Sequence, residues 1–305
     1  MSDSLQRGTA EFMDIETLSR IGDLEIQAAI LASGLYAGIH KSPFLGACPE
    51  FKSYRDYLPG DQIKDIDWRA YARTDRLHIR LREDETNMNT YVLLDTSRSM
   101  DYRSAEKLMT KWQYARCLAA TIFFVLSKQG DAASLALVGD NIDFYSKPRS
   151  DRSHYRQLLS AMCRKAQSSS FLLPEALLKM EHMIKARSMI LVISDFYIRP
   201  ERIEKQLGML KHLNCETLFI NVFDPVEMDL ELDGLNFLKE SESIRKMSVN
   251  SDLIKEDYRK NLNAHLKELD MLVSSYGGRM LTVKTSEMPF LALGTFFEER
   301  SRRLA

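Results

Sequence analysis

The stretch Asp95-Thr96-Ser97-Arg98-Ser99 is where residue types and spacing point most directly to chemistry in this 305-residue chain. It offers one carboxylate and two hydroxyls at alternate positions of one tight loop. Such hard oxygen donors suit Mg2+, Mn2+ or Ca2+ rather than zinc or copper. A second carboxylate, Asp195, follows another apolar run and is placed to close the site, directly or through water. The competing reading is structural, because Asp and Ser at these positions also cap the helix that follows. What favours a metal is the context. Tyr91-Val92-Leu93-Leu94 runs into Asp95, and Met189-Ile190-Leu191-Val192-Ile193 ends close to Asp195. Ligands of open parallel sheets bind outside the carboxyl ends of such strands. Arg98 and Tyr102 flank the loop as candidate partner contacts, against the reading of a solvated loop.

Those strands need a scaffold, and the chain supplies its rhythm. After Asp95, Trp112, Ala115, Ala119, Ile122, Phe123 and Leu126 share one face of a long helix that Gly130 stops. Residues 134–138 and 142–145 read as a pair of strands, and 154–164 and 174–185 as helices. Strands at 189–193 and 217–222, a long helix from about Asp252, a strand at 280–283 and a last helix at 289–300 follow. Between them Leu230 and Leu232 are expected to face Leu235 and Phe237 across the turn Asp233-Gly234. Apolar strands alternating with amphipathic helices predict an α/β fold: a doubly wound, mainly parallel central sheet with helices on both faces.

The front of the chain differs. Residues 1–13 read as a disordered lead. A helix is expected from Thr17 to Gly34, then a β-rich stretch in which Tyr54, Tyr57 and Tyr71 alternate with charges and Leu77, Ile79 and Leu81 alternate like a half-buried strand. We therefore divide the chain into the lead, a smaller helix-plus-β-rich lobe over 14–88, and the α/β domain over 89–305.

Composition removes several function classes. The net charge of -1 argues against a general polyanion binder. The basic stripe Arg73, Arg76, His78, Arg80 and Arg82 is answered by Glu83, Asp84 and Glu85, so no nucleic-acid partner is expected. The longest mostly apolar run, Cys117 to Leu126, falls short of the ~20 residues of a membrane span. Four scattered cysteines without CxxC spacing fit a reducing compartment, and the expected localisation is cytoplasmic. Six histidines show no paired spacing, and methionines on helices and strands are read as core. Asp61, Asp65 and Asp67 beside Arg55, Arg69 and Arg73 are read as ion pairs and turn bonds, with Trp68 as an apolar anchor.

The loop Asp95–Met100 after its apolar strand resembles the metal-ion-dependent adhesion site of von Willebrand factor A domains. Other marks resemble one bacterial branch, the domain-of-unknown-function family numbered fifty-eight. They are Ser42-Pro43-Phe44, Tyr57-Leu58-Pro59-Gly60-Asp61, Ile66-Asp67-Trp68, Tyr71-Ala72-Arg73, Arg80-Leu81-Arg82-Glu83, Gln129-Gly130-Asp131, Ile193-Ser194-Asp195-Phe196 and Phe223-Asp224-Pro225. The resemblance implies a bound Mg2+ whose shell an acidic side chain of a client protein completes. It also implies work beside a MoxR-type AAA+ ATPase in a chaperone-like system, without catalysis by this chain. These domains usually supply a threonine ligand from a Gly-rich loop. In Ser168-Ser169-Ser170-Phe171 that place falls on Phe171, and Ser170 or Ser169 substitutes if the loop shifts by a residue. The expected metal set is thus Asp95, Ser97, Ser99, Asp195 and Ser170, with weakened affinity.

Two rival functions remain in view. A metal-dependent phosphoryl hydrolase would use Asp95, but the haloacid-dehalogenase pattern needs a second Asp where Ser97 stands. The chain also lacks GxxxxGK[ST] and GxSxG, so neither nucleotide hydrolysis nor a serine hydrolase is expected. The other rival is a scaffold whose metal site has decayed.

Overall fold

A strand turns alternate side chains to opposite faces, so a strand buried along its whole length needs a core on each side. In the computed structural model of the protein, Thr90–Asp95 and Met189–Ser194 are both such strands. The structure describes residues 14–39, 53–56, 78–81, 88–163, 168–229, 235–239, 246–291 and 293–294.

In chain order the elements are α1 (Ile15–Arg20), α2 (Leu24–Ile39), β1 (Ser53–Asp56), β2 (His78–Leu81), β3 (Thr90–Asp95), α3 (Lys111–Gln129), β4 (Ala133–Val138), β5 (Ile142–Tyr145) and α4 (Arg152–Met162). There follow α5 (Leu173–Met180), β6 (Met189–Ser194), α6 (Glu204–His212), β7 (Glu216–Phe223), α7 (Pro225–Asp229), β8 (Leu235–Lys239), β9 (Lys246–Asn250), α8 (Ser251–Ser275) and β10 (Arg279–Lys284). Six strands form one sheet in the order β10-β7-β6-β3-β4-β5, parallel except for the edge strand β5. The chain runs from β3 outward through β4 to β5, then returns to the other side of β3 for β6, β7 and β10. The two directions part between β3 and β6.

Each face carries its own core. Val92, Leu94, Leu191, Ile193, Ile220 and Val222 pack with α2, α3 and α4. Tyr91, Leu93, Ile190, Val192 and Phe219 pack with α5, α6 and α8. The expected doubly wound α/β fold with a mainly parallel sheet is what the structure has. The start and stop of α3 are written locally: Thr110 and Gln113 form a reciprocal capping box, and Gly130 ends the helix at φ 78°.

Two expectations change. The helix predicted from Thr17 to Gly34 is two helices, because Asp23 Oδ1 accepts from the N–H groups of Glu25 and Ile26 and starts α2 anew. Leu230, Leu232 and the turn expected at Asp233-Gly234 lie outside the described residues; β8 pairs with the later β9, setting Phe237 opposite Ser248. The helix expected over 174–185 ends at Met180. Of the β-rich stretch, β1 and β2 form an antiparallel pair. The Asp61–Asp67 cluster, Trp68 and the lead over 1–13 lie outside the described residues.

The front helix α2 is built into the α/β core. Leu24, Ala28, Leu31 and Leu35 lie in the same cluster as Leu118 and Ile122 of α3. Gln27 ties it further, donating to Leu18 O and Ile21 O and accepting from Cys117 Sγ at 3.2 Å. Truncating the fully buried Leu31 to Ala should therefore cost about 2–5 kcal/mol in urea denaturation. Ile26→Ala, at a half-exposed site on the same helix, should stay within about 0.5 kcal/mol. A Leu31→Ala effect no larger than that of Ile26→Ala would mean that α2 is not part of the cooperative core.

Candidate metal centre

The parting of β3 and β6 is the switch point of the sheet, the place where open α/β folds form a crevice. Asp95 is the last residue of β3 and Asp195 follows the last residue of β6. Asp95 is fully buried, so both of its oxygens need donors. Oδ1 accepts the Ser97 N–H at 2.7 Å, which bends the chain sharply after the strand. Oδ2 accepts the Ser194 hydroxyl at 2.6 Å, and Ser194 Oγ in turn accepts the Phe196 N–H at 3.0 Å. That relay holds Phe196 at φ 47°, a left-handed backbone unusual for a bulky residue, directly beside Asp195. His265 of α8 donates to the Phe196 carbonyl from Nε2 at 3.1 Å and fastens the same turn from outside.

The hydroxyls of Ser97 and Ser99 stand 2.8 Å apart. Ser97 precedes the short 3-10 turn Arg98–Asp101, yet its side chain makes no capping bond. Its orientation toward Ser99 therefore belongs to the site, not to a helix end. Ser97, Ser99, Ser170 and Asp195 line one cavity of about 430 Å³, which Arg199 and Arg202 also border. Four of the five expected metal residues thus share a wall, and Asp95 lies behind them, bonded to the Ser97 N–H. Arg98 is exposed on the loop, whereas Tyr102 is half-buried with its ring 6.0 Å from the Lys111 ammonium.

The serine loop docks like an added strand. Ser168 N–H donates to Thr96 O and Arg98 N–H donates to Ser168 O. Gly139 makes room, since a Cβ there would lie 1.9 Å from Ser168 Oγ. Asp140 then holds the loop's far end: its Oδ1 accepts both the Ser169 and Ser170 hydroxyls, at 2.8 and 2.6 Å. These bonds hold the Asp140 carboxyl down at about 2. Phe171, where the resemblance would put a threonine, is a core residue whose ring meets Phe196 edge-on at 6.5 Å.

These residues fit a small divalent cation. Neighbouring ligands on an octahedral Mg2+ lie about 2.9 Å apart, close to the Ser97–Ser99 spacing. Ser170 keeps lone pairs while donating to Asp140. Among the described residues no group of three or more His, Cys, Asp or Glu is arranged to hold a metal, so a cation here would rest on hydroxyls and at most two carboxylates. The other half of Asp195 is already engaged: its Oδ2 accepts from Lys111 Nζ at 2.9 Å, and the same ammonium donates to Glu227 Oε1 at 2.7 Å.

Sequence reasoning missed Lys111, Glu227, Asp140, Tyr197, Arg199 and Arg202. Only Lys111 left a signal. It shares a helix face with the apolar Ala115, Leu118 and Ile122, where a charge must find a buried partner. Asp140 and Arg199 sit in loops and Arg202 in the short 3-10 turn Pro200–Arg202, where a charged residue carries no such sign.

Fold and site together define a doubly wound α/β protein with oxygen donors gathered at the sheet's switch point. The chain belongs to the family described as protein of unknown function DUF58, whose profile matches residues 53–268. Uncharacterized proteins of Mycobacterium bovis and Mycobacterium tuberculosis are each 26% identical over 310 residues, covering 98% of this chain and 94% of theirs. Among solved structures, the conserved hypothetical protein BatB from Bacteroides thetaiotaomicron is similar at 12% identity and TM-score 0.48, over 70% of this chain and 99% of that one. The VWA domain of SpRpn10 is similar at 15% identity and TM-score 0.44, over 68% and 93%.

Burial, and then the nearby charge of Asp195, push the Asp95 carboxyl up to about 7. The folded protein therefore holds a proton that the unfolded chain releases near pH 3.9. Between those values the folded state binds more protons, so this contribution to stability is present at low pH and is lost as pH rises through the folded value. In EDTA at about pH 8, Asp95→Asn should melt a few degrees above the wild type, and its melting temperature should depend less on pH between about 5 and 7. A lower melting temperature at every pH would show that Asp95 is not strained by its charge.

Proposed function

We propose that this protein is a non-enzymatic, metal-dependent protein-interaction module that takes a carboxylate of a client or partner protein at the β3/β6 switch point. The observation that carries this reading is the shared wall of one open cavity: Ser97 and Ser99, hydroxyls 2.8 Å apart, beside Asp195 and Ser170. In this reading Ser97, Ser99 and Ser170 hold Mg2+ directly, and Asp95 and Asp195 balance its charge. The chemistry such an ion supplies is an open position for an anionic oxygen. Arg199 and Arg202 at the rim suit the same acidic partner, and Tyr197, half exposed, adds an aromatic contact. Arg98 is positioned for such contact, while Tyr102 serves mainly against Lys111. The pairing with a MoxR-type AAA+ ATPase in a chaperone-like system rests on the family resemblance alone.

The hydrolase reading is weaker because a nucleophilic Asp95 would need an accessible oxygen, and both of its oxygens are buried and bonded. The decayed-scaffold reading draws on a specific pair of observations: Asp195 is bound to Lys111 and the Ser169 and Ser170 hydroxyls to Asp140.

Calorimetric titration of Mn2+ and Mg2+ separates the readings. We expect binding in the range of about 10⁻⁴ to 10⁻³ M, as for oxygen sites of low charge, abolished by Asp95→Ala and Ser97→Ala. Absence of binding in the wild type, with no shift of melting temperature at millimolar metal, would support the scaffold. A second expectation concerns the rim. The double variant Arg199→Glu/Arg202→Glu should keep its Mn2+ affinity within about threefold but weaken binding to a purified MoxR-type ATPase of the same organism at least tenfold. Equal partner binding in wild type and variant would remove the arginines from the interface.

A further inference from the structure

Lys111 is fully buried at the first turn of α3, and a buried ammonium persists only with charged or polar partners. Its two carboxylate partners come from beyond the ends of the neighbouring strands β6 and β7: Asp195, directly after β6, at 2.9 Å, and Glu227, in α7, at 2.7 Å. Rings of Tyr197 and Tyr102 lie 5.5 and 6.0 Å from the same nitrogen. Glu227 is itself fixed, its Oε2 accepting the Asp224 N–H at 3.1 Å and its carbonyl accepting the Tyr258 hydroxyl of α8 at 2.8 Å. Asp195 meanwhile faces the cavity that Ser97 and Ser99 line. One carboxylate therefore serves two cation positions, and only one of them is built from the protein's own chain.

Resting on the metal-module reading, we propose that Lys111 is a built-in competitor for the divalent cation: it holds Asp195 in the metal-free protein and sets the site's affinity. Without it Asp95 and Asp195 would be two acids at the ends of neighbouring buried strands with no compensating cation. With it, the empty site is stable, and an entering divalent ion meets a like charge already bound to one of its carboxylates. Glu227 tunes the competition, because the more of Lys111 it takes, the freer Asp195 becomes.

This role gives changes of opposite sign at the two partners of one ion pair, which loss of packing alone would not. In Mn2+ titrations, Glu227→Gln should bind at least about threefold more weakly than the wild type, since Lys111 then falls wholly to Asp195. The double variant Lys111→Met/Glu227→Gln removes the competitor together with its second carboxylate, so no unpaired charge is left against Glu227, and should bind at least about tenfold more tightly. Melting temperatures in EDTA report that each variant is folded, and melting shifts with Mn2+ give a second measure of binding. Mn2+ binding that depends on Asp95 in the wild type but is unchanged or weaker in the double variant would overturn the competition while leaving the metal site in place. No Mn2+ binding in any folded protein, the double variant included, would remove the metal reading and this inference with it. Binding that appears only in the double variant would support both.

Discussion

Asp95 ends a strand that is buried on both faces, and the requirement to satisfy its carboxylate organises the top of the sheet. One oxygen takes the Ser97 N–H and so bends the chain into the hydroxyl-bearing loop. The other takes the Ser194 hydroxyl, which ties β3 to β6 across the switch point and, through Phe196 N–H, sets the turn that carries Asp195. The two halves of the candidate site are thus positioned by the same buried group. A polar residue at this depth is costly unless every lone pair is engaged, and the local geometry on both strands follows from that cost. The outward consequence is that Ser97 and Ser99 are left with their hydroxyls toward the cavity rather than spent on a helix cap.

Much of the fold was legible because its signals are local and repeated. Apolar runs of strand length, amphipathic helices and the stop at Gly130 each act over a few residues, and together they imply a two-faced sheet. The strand β9 was not legible, because Lys246-Met247-Ser248-Val249-Asn250 carries no apolar run and its register with β8 is set by no local signal. The break before α2 was missed because an Asp inside an apolar periodicity reads as surface until its capping bonds are seen. In the site, the residues of the Asp-x-Ser-x-Ser loop and Asp195 were readable from their strand ends. Lys111, Glu227 and Asp140 were not, since their roles depend on partners 84, 116 and 30 positions away in the chain.

Those three residues change the character of the site. Asp140 gathers both hydroxyls of the serine loop and Lys111 takes an oxygen of Asp195, so two of the expected cation-binding segments are held by the protein's own charges. The loop is not loose for want of a metal. Its backbone is bonded to Thr96 and Arg98, and Gly139 allows it to lie against the strand end. A cation would therefore enter a site already formed, exchanging internal partners rather than ordering a disordered loop.

Such exchange is a physical route by which occupancy can be felt elsewhere. Lys111 begins α3, Glu227 lies in α7, and the Glu227 carbonyl takes the Tyr258 hydroxyl of α8. The His265 side chain of α8 also holds the Phe196 carbonyl beside Asp195. The long helix α8 is consequently tied to both sides of the strand end, once through the lysine's second carboxylate and once through the strained turn. A shift in how Lys111 divides itself between Asp195 and Glu227 must alter the electrostatic balance at one of these ties, whereas the cores on either face of the sheet have no reason to move. The helix thus braces both carboxylate-bearing segments that Lys111 joins.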